Sequence, residues 1–211
     1  MASITVLPAG PVRIRFEKRG SMKFISHLDL QRTMNTAFNR AALPVWYTEG
    51  FNPHKKLVFA LPLPIGAESV CELLDFKITE MMPAEEIVKR LNAAFSPELN
   101  VFEAYSPSSK FADIGWAEYA AKSPELVGRD LSPLTASPLI VRKRTKSGEK
   151  DLDISPLIRD PRLEGDTLTM LLSAEPDSYL NPDYPLSALG IADYTVMRKE
   201  IYRRDGVTPF R

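Results

Sequence analysis

The chain has 211 residues, 44% of them hydrophobic and 26% charged, and its Lys/Arg and Asp/Glu counts cancel to a net charge of zero. This is the composition of an ordinary soluble globular protein with one large or two small domains, and no apolar run of about 18 residues points to a membrane span. A single cysteine, Cys71, excludes an internal disulfide and an all-cysteine zinc site or iron–sulfur cluster within the chain.

The neutral total hides a polarity. Residues 11 to 60 hold nine Lys/Arg against three Asp/Glu, whereas residues 61 to 128 hold five against eleven. The basic block also contains both histidines, His27 and His54. Such a block suits an anionic partner, although acidic and basic segments also pair within one fold. The start "MASITVLPAG" lacks a basic segment before an apolar core, so no secretory signal is expected and a reducing cytoplasm is the expected compartment.

In chain order, "VRIRFEKRG" alternates and predicts a half-buried strand, with Val12, Ile14 and Phe16 on one face and Arg13, Arg15 and Glu17 on the other. From about residue 26 to 42, Leu28, Leu30, Met34, Ala37, Phe38 and Ala41 recur at helical spacing. Pro44 disfavours helix at Leu43, and Val45, Trp46 and Tyr47 suit a strand. "GFNPHKK" carries turn chemistry. "LVFALPLPIG" leans to β, but Pro62 and Pro64 confine it to an edge or an irregular end. "SVCELLDFKITE" is a further strand, Pro83 opens a helix over 84–95, and "LNVFEAYS" supplies another strand. The order β-α-β-β-α-β is the ferredoxin-like pattern.

The remainder reads as a second, degenerate copy. Strands are expected at "WAEYAAKS", "PLIVRKRTK", "TLTMLLSAE" and "DYTVMRKEIYRR". Gly128 and Pro133 shorten or break its first helix, "NPDYPLSALG" forms a short second one, and "DLDISPLIRD" is an irregular element. The expected class is therefore α+β, with two tandem ferredoxin-like units over residues 11–106 and 115–205.

Several side chains could carry function. His27 and Gln31 share a helix face at i and i+4, and Arg32 can pair with Asp29 three residues before it. His27 or Asp29 can equally serve as a helix-start anchor. Asn52, His54, Lys55 and Lys56 sit together in a loop as a contact set for phosphate or sugar, with Phe51, Trp46 and Tyr47 able to stack on bases if exposed. The bland alternative is buried aromatics and solvated lysines. Arg13 and Arg15 on the first strand are further phosphate contacts, as are Arg142 and Arg144, which share one face of a hairpin with Lys146. Two histidines at this spacing match no metal-ligand motif, so neither metal nor cofactor is expected. Cys71 reads as a packed strand residue.

The pieces "F-x-K-x-G", "S-H-L-D-L-x-R", "A-x-L-P", "Y-T-E-G-F-N-P-H-K-K" and "A-L-P-L-P-I-G" cover residues 12 to 69. Through them the chain resembles a bacterial family of radical S-adenosylmethionine-associated domains of unknown function (domain of unknown function 2344). The resemblance implies a bacterial cytoplasmic protein, in some relatives with a companion radical enzyme that carries the cluster. The genomic company of such relatives, ribosomal and RNA-processing genes, tilts the reading towards RNA. It also implies an arginine in many members where Ser155 stands in "DLDISPLI".

Three functions compete at this point. The first is an RNA-binding or substrate-presenting accessory factor for ribosomal or transfer RNA, alone or beside a radical S-adenosylmethionine enzyme, with no membrane partner. The second is a metal-independent endoribonuclease using His27 or His54. The third is a protein-only adaptor that docks through its acidic middle segment.

Overall fold

Successive side chains of a strand point to opposite faces, and Val12, Ile14 and Phe16 all turn inward and are completely buried. The computed structural model describes residues 5–145 and 148–211. The chain divides into two units, Met1–Lys110 with Arg211, and Phe111–Phe210. Each is a mixture of strands and helices, so the class is α+β.

The first unit contains β1 (Val6–Leu7), β2 (Gly10–Lys18), α1 (His27–Arg40), β3 (Val58–Phe59), β4 (Ala67–Ile78), β5 (Met82–Pro83), α2 (Ala84–Ala94) and β6 (Leu99–Tyr105). β2 runs antiparallel to both β4 and β6, and β3 pairs with β4. Leu30, Met34 and Phe38 of α1 and Ile87 and Leu91 of α2 join Val12, Ile14 and Phe16 in one core. Each such fully buried side chain contributes about 1.5–3 kcal/mol, which holds both helices on the same face of the sheet. Leu28, expected on the buried stripe of α1, is instead exposed. At roughly 100° per residue it points about 160° away from Leu30.

α1 stops at Arg40 because Ala42 takes a left-handed conformation, φ 47°, just past the end. The strand expected at 45–47 is reduced to two isolated bridges, Val45 to Ile78 and Tyr47 to Lys55. In "LVFALPLPIG" only Val58 and Phe59 pair, and the two prolines that follow have no N–H to donate.

The second unit contains β7 (Ile114–Lys122), α3 (Ser132–Thr135), β8 (Ile140–Thr145), β9 (Gly148–Asp153), β10 (Ile158–Glu164), β11 (Thr167–Ser173), α4 (Asp183–Ala188) and β12 (Thr195–Arg203). β7 is central, antiparallel to β11 and β12, and β10 pairs with β11. β8 and β9 pair with each other as a two-stranded ribbon. Tyr119, Leu168, Met170, Leu172, Leu186 and Ile201 are buried in this unit. The segment read as irregular, "DLDISPLIRD", is mostly strand: it ends β9 and begins β10, with a single tight turn at Ser155–Leu157 between them.

Candidate nucleic-acid interface

The start of α1 is built by a reciprocal cap. Ser26 Oγ accepts from the Asp29 N–H at 3.1 Å and donates to Asp29 Oδ2 at 2.7 Å. This satisfies one of the orphan donors of the first turn and holds the carboxylate near the positive end of the helix dipole. The Ser26 hydrogen bond, with help from the Arg32 charge, keeps the Asp29 carboxyl below its ordinary range. Arg32 Nη1 closes the group at 3.1 Å from Asp29 Oδ1. The cap is therefore Ser26, with Asp29 as its partner, and His27 is left as an exposed first helical residue. Gln31 Nε2 donates to His27 Nε2 at 3.1 Å, and the ring meets Phe59 edge-on at a centroid distance of 5.1 Å.

His54 belongs to a different construction. Tyr47 and Lys55 bridge the base of a loop, and Thr48 N–H donates to the His54 carbonyl at 2.9 Å. His54 N–H donates back to Thr48 Oγ1, and His54 Nδ1 donates to the Asn52 carbonyl, each at 3.1 Å. These bonds fold residues 48–54 into a tight tip. At that tip Phe51 is fully exposed, with Asn52 and His54 exposed beside it. Lys55 Nζ lies 5.1 Å from the centre of the half-exposed Tyr47 ring and donates to Asn39 Oδ1 of α1. Lys56 is exposed next to it.

The two histidines do not converge. Asn39 is twelve residues beyond His27 on α1, which at 1.5 Å per residue is about 18 Å along the axis. Since Lys55 is anchored at Asn39, the His54 loop lies towards the far end of that helix from His27.

The arginines of β2 correct the expectation of a solvent-facing cationic row. Arg13 is completely buried: Asp75 takes its guanidinium in a two-pronged pair, and Ser109 adds contacts from Oγ at 3.1 Å and from its carbonyl at 3.0 Å. It cannot meet a phosphate in this fold. Arg15 is half-buried and faces Glu103 across the β2–β6 ladder at 3.9 Å. In the second unit, Arg142 is exposed but lies 3.6 Å from both Glu149 and Asp151 of β9, so its charge is countered by the opposite strand. Lys146 lies outside the described residues, as does the side chain of Arg144, whose backbone is in register with Glu149.

Two charged groups beside the start of α1 escaped the sequence reading. Lys18 and Glu72 are both almost fully buried, and both line a cavity of about 10 Å³ beside Ser26 and His27. That is room for about one water. A signal for Lys18 existed: it continues the parity of Val12, Ile14 and Phe16, so alternation places it on the inward face. Ser155, at the position where the family resemblance implies arginine, lines a groove of the second unit. Cys71 is buried in β4.

Among the described residues no helix is long and apolar enough to cross a membrane, and no group of three or more His, Cys, Asp or Glu is placed to hold a metal ion. The fold thus defines a mixed α+β protein in which one loop of the first unit carries an exposed Phe51 together with exposed His54 and Lys56. The chain belongs to the family described as "Uncharacterized protein conserved in bacteria (DUF2344)", which matches residues 12–182. No curated protein matches the chain.

Proposed function

We propose that this chain is an RNA-binding or substrate-presenting accessory factor acting on structured RNA, ribosomal or transfer RNA, alone or beside a radical S-adenosylmethionine enzyme. The observation that carries the reading is Phe51, fully exposed at the tip of a loop flanked by His54, Lys55 and Lys56. A phenylalanine in that position packs nothing in its own fold. An unstacked base offers it a π-face, while neighbouring ammonium groups meet the backbone phosphates. Of the cations over residues 11 to 60, Arg13 is buried against Asp75 and Arg15 faces Glu103, so longer-range attraction is left to exposed members such as Arg40 and Lys56. The radical enzyme rests on the family resemblance alone, and the cytoplasmic setting on that resemblance together with the single cysteine.

The finer architecture proposed is two tandem ferredoxin-like units, the second degenerate. Strand order supports it: with the two-residue strands β1 and β5 and the β8–β9 ribbon set aside, β6-β2-β4-β3 in the first unit and β12-β7-β11-β10 in the second both put the first of four strands between the third and the fourth. Ferredoxin-like sheets serve many activities, so the functional argument stays with the loop.

The test is ultraviolet crosslinking of the chain in cells, followed by sequencing of the attached RNA. Enrichment of a defined RNA, with adducts mapping to residues 47–56, is the expected result. Recovery of a protein complex that survives full nuclease treatment, with no RNA enriched, would replace this reading by the adaptor.

One observation favours a nuclease as the second reading. His54 Nδ1 lies 3.1 Å from both the Asn52 carbonyl and Thr48 Oγ1, which holds the exposed ring in place and leaves Nε2 outside these contacts. An imidazole nitrogen presented in this way is the kind of group that can act on a ribose 2′-OH. Discrete cuts in labelled RNA, made in the presence of chelator and lost in His54→Ala, would establish it.

A further inference from the structure

The second unit carries a groove of about 620 Å³ between α3 and β10. A smaller cavity of about 250 Å³ adjoins it, and Asp160 and Arg162 of β10 line both. The larger volume is within the range of small-molecule sites, about 300–1,000 Å³.

The lip between the two cavities has an irregular backbone. Arg159 pairs with Leu171 and Arg162 with Thr169, so Asp160 and Pro161 together stand opposite Met170 alone. This is a β-bulge, and it re-aims the side chains around it. Asp160 takes φ +48°, a conformation that residues with a Cβ seldom adopt. Bulges and such backbone outliers cluster at binding sites.

The chemistry of the lip is also unspent. Among the described residues, neither Asp160 nor Arg162 has an ion-pair or side-chain hydrogen-bond partner. Arg159, one residue before the bulge, is by contrast stacked on the Trp116 ring at 3.9 Å. Across the groove, Ser155 Oγ donates to Asp153 Oδ1 at 2.8 Å and lies 3.4 Å from Ser137 Oγ, so both hydroxyl oxygens keep lone pairs for a ligand. Leu134 and Ile158 give the groove an apolar floor.

We infer that this groove binds a ribonucleoside phosphate. Such a ligand matches three features at once. Its phosphate suits the Arg162 guanidinium. Its ribose diol can donate to the Asp160 carboxylate, with the serine oxygens accepting further bonds. Its flat base can lie on Leu134 and Ile158. Inorganic phosphate would use only the first feature, and an unphosphorylated nucleoside only the other two. The ligand can be a free nucleotide or the end of an RNA chain, and the inference does not depend on the Phe51 loop.

The test is calorimetric titration of the full chain with the four ribonucleosides, their 5′-monophosphates, the 2′-deoxy counterparts of those monophosphates, and a 5′-phosphorylated RNA trinucleotide. Saturable binding is expected, with at least one ribonucleotide preferred over its deoxy form by about tenfold, the worth of one charge-assisted hydrogen bond. Asp160→Asn keeps a side chain that tolerates positive φ, so it preserves the bulge and should abolish the ribo-over-deoxy preference. Arg162→Gln should remove the preference for the monophosphate over the nucleoside. Binding of mononucleotides identifies a free nucleotide as ligand, and binding of the trinucleotide alone identifies an RNA end. Retention of both preferences in Phe51→Ala separates this site from the RNA-binding loop. No saturable binding of either ligand class by the folded protein overturns the inference. So does a ribose preference that Asp160→Asn leaves intact.

Discussion

Arg13 and Asp75 face each other across the β2–β4 ladder as a two-pronged ion pair, with Nε 2.7 Å from Oδ1 and Nη2 2.8 Å from Oδ2. The guanidinium is fully buried, while the carboxylate keeps a 26% exposed edge. The same guanidinium holds Ser109, whose hydroxyl donates to the carbonyl of the terminal Arg211. One buried cation therefore fastens the centre of the sheet to Ser109, 96 residues away in sequence, and through it to Arg211, a further 102 residues on.

Removing the carboxylate alone leaves a charge in the interior without its counter-ion. Asp75→Ala should lower stability by about 3 kcal/mol, the lower end for a broken buried pair because Asp75 is partly solvated. Urea melts of the two proteins measure this. RNA affinity at a temperature where the variant stays folded should be unchanged, since the Arg13 guanidinium does not reach solvent. A melt identical to the parent would show that the pair does not secure the fold.

The inward side of this sheet was legible because it needs only local periodicity. Val12, Ile14 and Phe16 fall on one parity, and Leu30, Met34 and Phe38 on one helical stripe. The outer side was not, because Arg13 is covered by Ser109, 96 positions away, and no local pattern encodes that. His27 and His54 looked like neighbours for the same reason. Closeness in sequence says little once a 14-residue helix lies between them. The loop of residues 47–56 was readable from its Gly, Asn and Pro, but the full exposure of Phe51 was not, since a phenylalanine is ordinarily core. The groove of the second unit depends on a two-residue bulge, and bulges are set by pairing register rather than by composition.

Phe51→Ala isolates the stacking contribution. The side chain touches solvent on all sides, so its loss should leave the melting temperature within experimental error. Affinity for single-stranded or looped RNA should fall by about 1–3 kcal/mol, as for one base–aromatic stack. Fluorescence anisotropy with labelled RNA reads this directly, and Phe51→Trp should restore binding. Equal affinity of parent and alanine variant would remove the ring from the interface.

Lys55 and Lys56 test the electrostatic part. Their double replacement by alanine should weaken RNA binding and flatten the dependence of log affinity on log salt, by about 0.7 for each single-strand phosphate that a lysine no longer neutralises. Lys55 also ties its loop to Asn39. Lys56→Ala leaves that tie in place, so it is the cleaner reporter and should lower the slope by the share of a single phosphate. A weaker affinity with an unchanged slope would assign the lysines to loop shape rather than to phosphate.

Asp205 gives a pH-dependent prediction at the turn that follows β12. Thr208 donates to it from both hydroxyl and backbone N–H, and Val207 N–H adds a third bond, which holds its pKa down at about 2. A carboxyl with a lower pKa in the folded chain than in the unfolded chain favours folding in its ionised form. Its contribution is complete above the ordinary carboxylate range and fades as the pH falls towards 2. Asp205→Asn should therefore melt below the parent at neutral pH, and the gap should narrow on acidification. Paired thermal melts across that range measure it. Gly206 and Val207 of this turn line the smaller cavity beside Asp160. If the groove binds as inferred, the variant should also lose nucleotide affinity at neutral pH without changing the ribo-over-deoxy ratio, because the turn shapes the wall and leaves the Asp160 carboxylate in place. A gap that stays constant to low pH would mean that the three bonds act through the geometry of the turn alone.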